Sequence, residues 1–234
     1  MKNLLLPALF CFATLTGAHA QSAQTRSVPA FHAIKVGSGI ELTLTSGHAQ
    51  RVEVSATEAS FAGYIVTKVA DGVLTIGYDN PNDRNGQQRS RQHVHLRAAV
   101  TADQLTALTA GSGSSVQATG DIDADDFKLD ISSGATVKAA ISTATLAVRQ
   151  SSGSTADLSC RATTLDVQSS SGASFDAVDL KTDHARAEAS SGSSIQLAVK
   201  DDLVAQASSG GSISYKGSPQ LTKRTSSGGS VSNH

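Results

Sequence analysis

The densest chemistry in the chain lies where Arg84, Arg89, Arg91 and Arg97 gather within fourteen residues together with His93 and His95. Guanidinium forks match carboxylate and phosphate groups, so this stretch is a candidate binding site for an anionic cell-surface glycan or another envelope component such as a lipid headgroup. A solvated loop that keeps a sheet edge soluble is the plainer reading of the same residues. His93 and His95 stand two apart and face one side of a strand, which supplies half of a zinc site. No cysteine or third histidine lies near them to complete four ligands, so no metal is assigned.

Asp157 and Asp176 occupy one outward column of adjacent repeats, with Lys138 beside them and Gln196 beyond. Polysaccharide-cleaving β-helices need clustered carboxylates of this kind; a solvated face needs nothing more than their charge. No catalytic residue is assigned. The acidic run Asp121, Asp123, Asp125 and Asp126 fails as a calcium loop, because its sixth position is Asp126 rather than glycine and its twelfth is Ser132 rather than glutamate. It is expected to be a turn between repeats. Cys160 aligns with Ile141 and Val199 and is expected to be a small buried apolar residue. No cofactor is implied.

What must position these residues is a repeat. Gly113, Gly134, Gly153, Gly172, Gly192, Gly210 and Gly228 each close a serine-rich corner such as Ser-Ser-Gly, at spacings of 21, 19, 19, 20, 18 and 18 residues. Aligned on that glycine, Phe127, Leu146, Leu165, Ala185, Leu203 and Leu221 stand seven before it, and Leu108, Leu129, Val148, Val167, Ala187 and Ala205 five before it. Val116, Val137, Ala156, Phe175, Ile195, Ile213 and Val231 stand three after it. Apolar residues at odd offsets with polar ones between are half-buried strands. Two short strands per repeat cannot bury their inner faces alone, but stacked coils can. The fold class expected is all-β, a right-handed parallel β-helix (a single-stranded solenoid), since parallel crossovers are almost always right-handed. The corner glycine is expected to permit positive φ and to leave room for the next coil. Asp130 with Arg149, and Lys138 with Asp157, then face each other across neighbouring coils.

Residues 21–100 form an irregular β region, a set of first coils or a cap, with a tight hairpin at Asp71-Gly72. Residues 101–234 carry the regular coils, and 28–234 read as one continuous domain. Residues 1–20 read as a signal peptide cleaved after Ala20. Lys2 supplies the positive charge, Leu4 to Leu15 the apolar stretch, and Ala18-His19-Ala20 the small-residue cleavage site. The apolar stretch is too short to span a bilayer, and no transmembrane segment is expected. Cys11 leaves with the leader, which removes any intrachain disulfide. Without Lys2, 18 basic residues face 20 acidic ones, a balance that gives no field for nucleic acid. Lys223 and Thr225 fall at inward positions of the last coil, so that end is expected to fray or to pair with a second copy of the chain.

Phe31 to Leu44, Val52-Glu53-Val54 and Val69 to Ile76, followed by serine-glycine coils, resemble the auto-transporter adhesin head GIN domain family. The resemblance implies an exported, non-enzymatic β-solenoid that acts as an adhesin-like surface or envelope module, periplasmic or extracellular. Polysaccharide binding or cleavage, and a purely structural periplasmic role, stand as alternatives. One departure is Glu41, which follows Gly39-Ile40 where the family name has asparagine.

Overall fold

The structure, a computed structural model, describes residues 23–81 and 94–233 and, for Cys160, the backbone alone. The leader and its cleavage position lie outside these residues. Within them, each corner is a turn whose two central residues are both left-handed. Ser133 has φ 54° and Gly134 φ 71°, and the Ala135 N–H donates to the Ser132 carbonyl at 3.1 Å. This is a type I′ turn, a geometry that favours Asn-Gly and is met here by Ser-Gly. It recurs at Ser112, Ser152, Ser171, Ser191, Ser209 and Ser227, and also at Ser38 (φ 60°) with Gly39 (φ 69°). Gly37-Ser38-Gly39 is therefore the first corner of the ladder, 74 residues before the next in sequence yet stacked directly on it. The Gly39 N–H donates to the Ser112 carbonyl at 2.9 Å.

The expected crowding at the corner glycines is corrected by this geometry. A Cβ at Gly113, Gly134, Gly153, Gly172, Gly192 or Gly210 would meet nothing within 4 Å. Glycine is needed there for its φ alone, and the serine before it shares the same left-handed strain. The close approach comes one residue later. A Cβ at Gly211 would lie 2.5 Å from the Ala189 carbonyl oxygen, and one at Gly229 would collide with that of Ala207. Earlier coils carry Ser114, Ser154 or Ser193 at this position, buried, each donating its hydroxyl to a carbonyl of the preceding coil.

The chain runs through β1 (Gln24–Arg26), β2 (Ala33–Val36), β3 (Glu41–Ser46), β4 (Arg51–Ala56), α1 (Ala59–Ala62), β5 (Ile65–Ala70), β6 (Val73–Tyr78), β7 (Leu96–Ala102) and β8 (Ala107–Ala110). The coils follow as β9 (Ser115–Ile131), β10 (Thr136–Gln150), β11 (Thr155–Ser169), β12 (Ser174–Ala189), β13 (Ser194–Ala207), β14 (Ser212–Lys216), β15 (Gln220–Thr225) and β16 (Ser230–Asn233). From β9 to β13 each coil is one long bent strand of 14–17 residues, not two short ones. A parallel neighbour on either side supplies backbone partners through the bend, so the ladder has no reason to break there. The acidic run Asp121–Asp126 accordingly lies inside β9 and is not a turn.

Parallel pairing joins β9, β10, β11, β12 and β13 in order, then β13 to β14 and β15, and β14 to β16. The chain is thus a β-solenoid whose apolar columns fill the interior, Phe127, Phe175, Leu146, Leu165 and Leu203 among them. Asp130 faces Arg149 and Lys138 faces Asp157, as the charge pattern requires. Cys160 pairs with Ile141 on one side and with Leu180 on the other. Val199 pairs with Thr182 instead, because extra residues in β12 between Ala177 and Lys181 shift the register.

The first coil is β2 and β3. Its far side carries β8 and β9, and its near side carries β6 on β2 and β7 on β3, all parallel. β5 joins β6 through a left-handed Asp71-Gly72 hairpin, while β4 and then β1 extend β7 antiparallel. The segment between β3 and β8 therefore folds back as a cap over the start of the solenoid. At the other end, all six residues of β15 are exposed, and Lys223 donates to the Val231 carbonyl at 2.8 Å instead of packing inward.

Two glycine variants separate the two constraints. Gly153→Ala is expected to cost about 1 kcal/mol through φ alone, a fall of about 2–4 °C in Tm for a chain of this size. Gly211→Ala, at ordinary φ but against a carbonyl, is expected to cost more. Ser152→Asn is expected to leave Tm unchanged or to raise it. Thermal unfolding of the three variants checks the ranking.

Candidate functional site

Of the sequence-selected binding residues, Arg84, Arg89, Arg91 and His93 lie outside the described residues. His95 lies just before β7 and is tied down from several directions. Its N–H donates to the Thr57 hydroxyl at 3.2 Å, and its Nδ1 lies 2.8 Å from a Glu41 carboxylate oxygen. Arg97 Nε donates to the other oxygen of Glu41 at 3.0 Å. Glu41 opens β3 in the first coil, and Arg97 faces it from the cap strand β7. One carboxylate thus clasps two side chains of the cap. The hydrogen bond from His95 and the adjacent Arg97 charge hold its pKa below the ordinary 4.5, against an opposing desolvation effect.

The carboxylate column on the coils is also engaged. Lys138 Nζ lies 2.9 Å from Asp157, which raises the Lys138 pKa above 10.5. Asp176 accepts a hydrogen bond from the Val178 N–H at 3.2 Å. Both aspartates that a glycan-cleaving reading would use as acid and base therefore already have partners within the chain. Among the described residues no group of three or more His, Cys, Asp or Glu side chains is placed to hold a metal ion. The acidic stretch of β9 lines an open concavity of about 1330 Å³ beside the cap, with Asp123, Asp125 and Asp126 exposed along it.

A second concavity, of about 720 Å³, lies at the same bend further along the solenoid and has the opposite charge. Arg161, Lys181, Lys200 and Lys216 line it, with Asp183 as its carboxylate. Sequence alignment on the glycines hides this row. Arg161 lies eight residues after its corner, Lys181 nine and Lys216 six, and only the register shifts within β12 bring them level.

With this geometry, a family profile described as "Putative auto-transporter adhesin, head GIN domain" matches residues 30–219. The chain belongs to that family. The matched span takes in β2, the cap and the coils through β14, so Glu41 and its cap partners are part of the domain. Solved structures share the fold. A crystal structure of a putative adhesin from Bacteroides fragilis superposes with a TM-score of 0.78 at 16% identity, covering 93% of this chain and 98% of that one. A putative adhesin from Parabacteroides distasonis gives 0.73 at 17% identity with the same coverage. A putative lipid binding protein from the same species gives 0.62 at 16% identity, again with 93% and 98% covered. No curated protein matches the sequence. Among the described residues no helix is long and apolar enough to cross a membrane.

The clasp on the GIN domain's cap predicts a pH dependence. A depressed carboxylate pKa contributes stability that is present above 4.5 and is lost as pH falls through the lower folded value. Glu41 is nearly half exposed, so solvent limits the effect to less than about 1 kcal/mol. Glu41→Gln is therefore expected to lower the urea midpoint slightly at neutral pH. The difference from wild type should close as the pH drops below 4.5, and urea titrations across that range check it.

Proposed function

We propose that the protein is an exported, non-enzymatic adhesin-like module of the cell envelope or surface, whose solenoid presents an interaction face to other molecules. The observation that carries the reading is the match to the adhesin head family across the cap and coils. The outward columns add support, because parallel pairing holds their side chains at fixed spacings on a rigid scaffold, and binding residues gain from such support. The paired state of Asp157 and Asp176 favours binding over cleavage as the role of that face. In this reading residues 1–20 direct export, and the mature chain starts at Gln21.

Labelled mature protein is expected to bind bacterial cells saturably and to leave bound glycans at full length, with intact-mass measurement of secreted material giving Gln21 as the first residue. Absence of binding to any cell type or glycan in an array would overturn the module reading. Shortening of a glycan on incubation would replace it with an enzyme.

A further inference from the structure

The row of cations at the second bend departs from most of the ladders on which two charges meet. Where charged residues face each other elsewhere they are mostly opposite: Asp130 with Arg149, Lys138 with Asp157, Asp166 with Arg186, and His184 with Asp202. Asp157 and Asp176 do face each other, but Lys138 and a backbone N–H answer them. Arg161 stands directly opposite Lys181 in the next coil, and Lys181 continues through Ala198 to Lys216 in the same row. All three are exposed. Among the described residues none of them makes an ion pair, since the one carboxylate in the concavity, Asp183, is the neighbour of Lys200, which also meets Asp201. Like charges set across a ladder weaken it, so the fold carries a local cost here with no internal compensation. Conflicts of this kind mark sites whose partner comes from outside.

We propose that the concavity at Arg161, Lys181 and Lys216 is a binding site for an acidic polysaccharide, a carboxylated or sulfated glycan laid along the solenoid axis. Successive coils are about 4.8 Å apart, so three steps from Arg161 to Lys216 span about 14 Å. A single small anion cannot reach all three cations, whereas a chain with an acidic group on successive sugars can. Arginine at one end offers a fork for a carboxylate or sulfate, and the lysines offer point charges to the groups that follow. Arg161, Lys181 and Lys216 stand in single file, with Lys200 beside the row and engaged by Asp183 and Asp201. Among the described residues the large exposed apolar ones, Val66 and Leu221, are not among those lining the concavity, which separates the site from a membrane-docking face. The inference gives the interaction module a ligand class and rests on that reading.

The test compares wild-type mature protein with Lys181→Ala/Lys216→Ala and with Arg161→Ala, using Lys68→Ala on β5 of the cap as the control. The probes are polygalacturonate, dextran sulfate, neutral dextran and vesicles of anionic phospholipid. Wild type should bind the two acidic polymers and not neutral dextran, more weakly as salt rises. The double variant should lose about tenfold or more in affinity, since two of three contacts are gone. Lys68→Ala should bind as wild type. Removing like charges should leave Tm equal or slightly higher, which separates lost binding from lost folding. Failure of wild type to bind either acidic polymer, or equal binding by the double variant, would overturn the site. Binding confined to the vesicles would assign it to a membrane instead. Cell binding that survives the double variant would remove the site and leave the adhesin-like reading standing. Loss of polymer binding by a protein that binds no cells would do the reverse.

Discussion

Every coil turns on two adjacent residues in the left-handed region, a serine and then a glycine. From that turn the rest of the architecture follows. Because the corner glycine's N–H points along the solenoid axis and not into the turn, it donates to the serine carbonyl of the next corner, at 2.9–3.1 Å from Gly39 through to Gly210. The hydrogen-bond ladder therefore passes through the corners without a gap. A serine in this conformation is strained, and the strain is repeated eight times. It persists because each interior corner is held from above and below by corners of the same shape, and the first and last by one such neighbour.

That constraint explains which features were legible in the amino-acid sequence. The glycine spacing and the odd-offset apolar columns are local, so Val137, Phe175 and Ile195 could be placed inside from their positions alone. The facing of Lys138 and Asp157 followed from the same alignment, and Asp71-Gly72 announced its hairpin by composition. The topology of the cap was hidden, because β7 comes after β3 in the chain yet lies outside it, and nothing local encodes a strand that folds back. The close approach at Gly211 was also hidden: its neighbour is a backbone carbonyl in another coil, which carries no sequence signature.

The candidate site was less legible than the fold. Arginines 84, 89 and 91 stood out because they are close in sequence, whereas Arg161, Lys181 and Lys216 are scattered over 56 residues and meet only through stacking. The glycine alignment assumes a constant coil length. β12 violates it between Ala177 and Lys181, where extra residues bulge from the ladder. Bulges re-aim side chains, and here the re-aiming assembles a row of cations that no fixed offset predicts. Glu41 shows the opposite case. It looked like a departure from a family pattern, and its position became intelligible once His95 and Arg97 were seen to converge on it.

The exposed β15 and the capped start of the solenoid make the two ends mechanically unequal. Pulling on the end furthest from the cap would load the last coil's ladder alone, since each coil is bonded only to its neighbours. The coils would then come away singly, as loops leave a spool. Each departure would release about 19 residues, or about 65 Å of extended chain. A solenoid of this design would yield in steps and lengthen under tension, while the capped end and the coils beneath it stay wound.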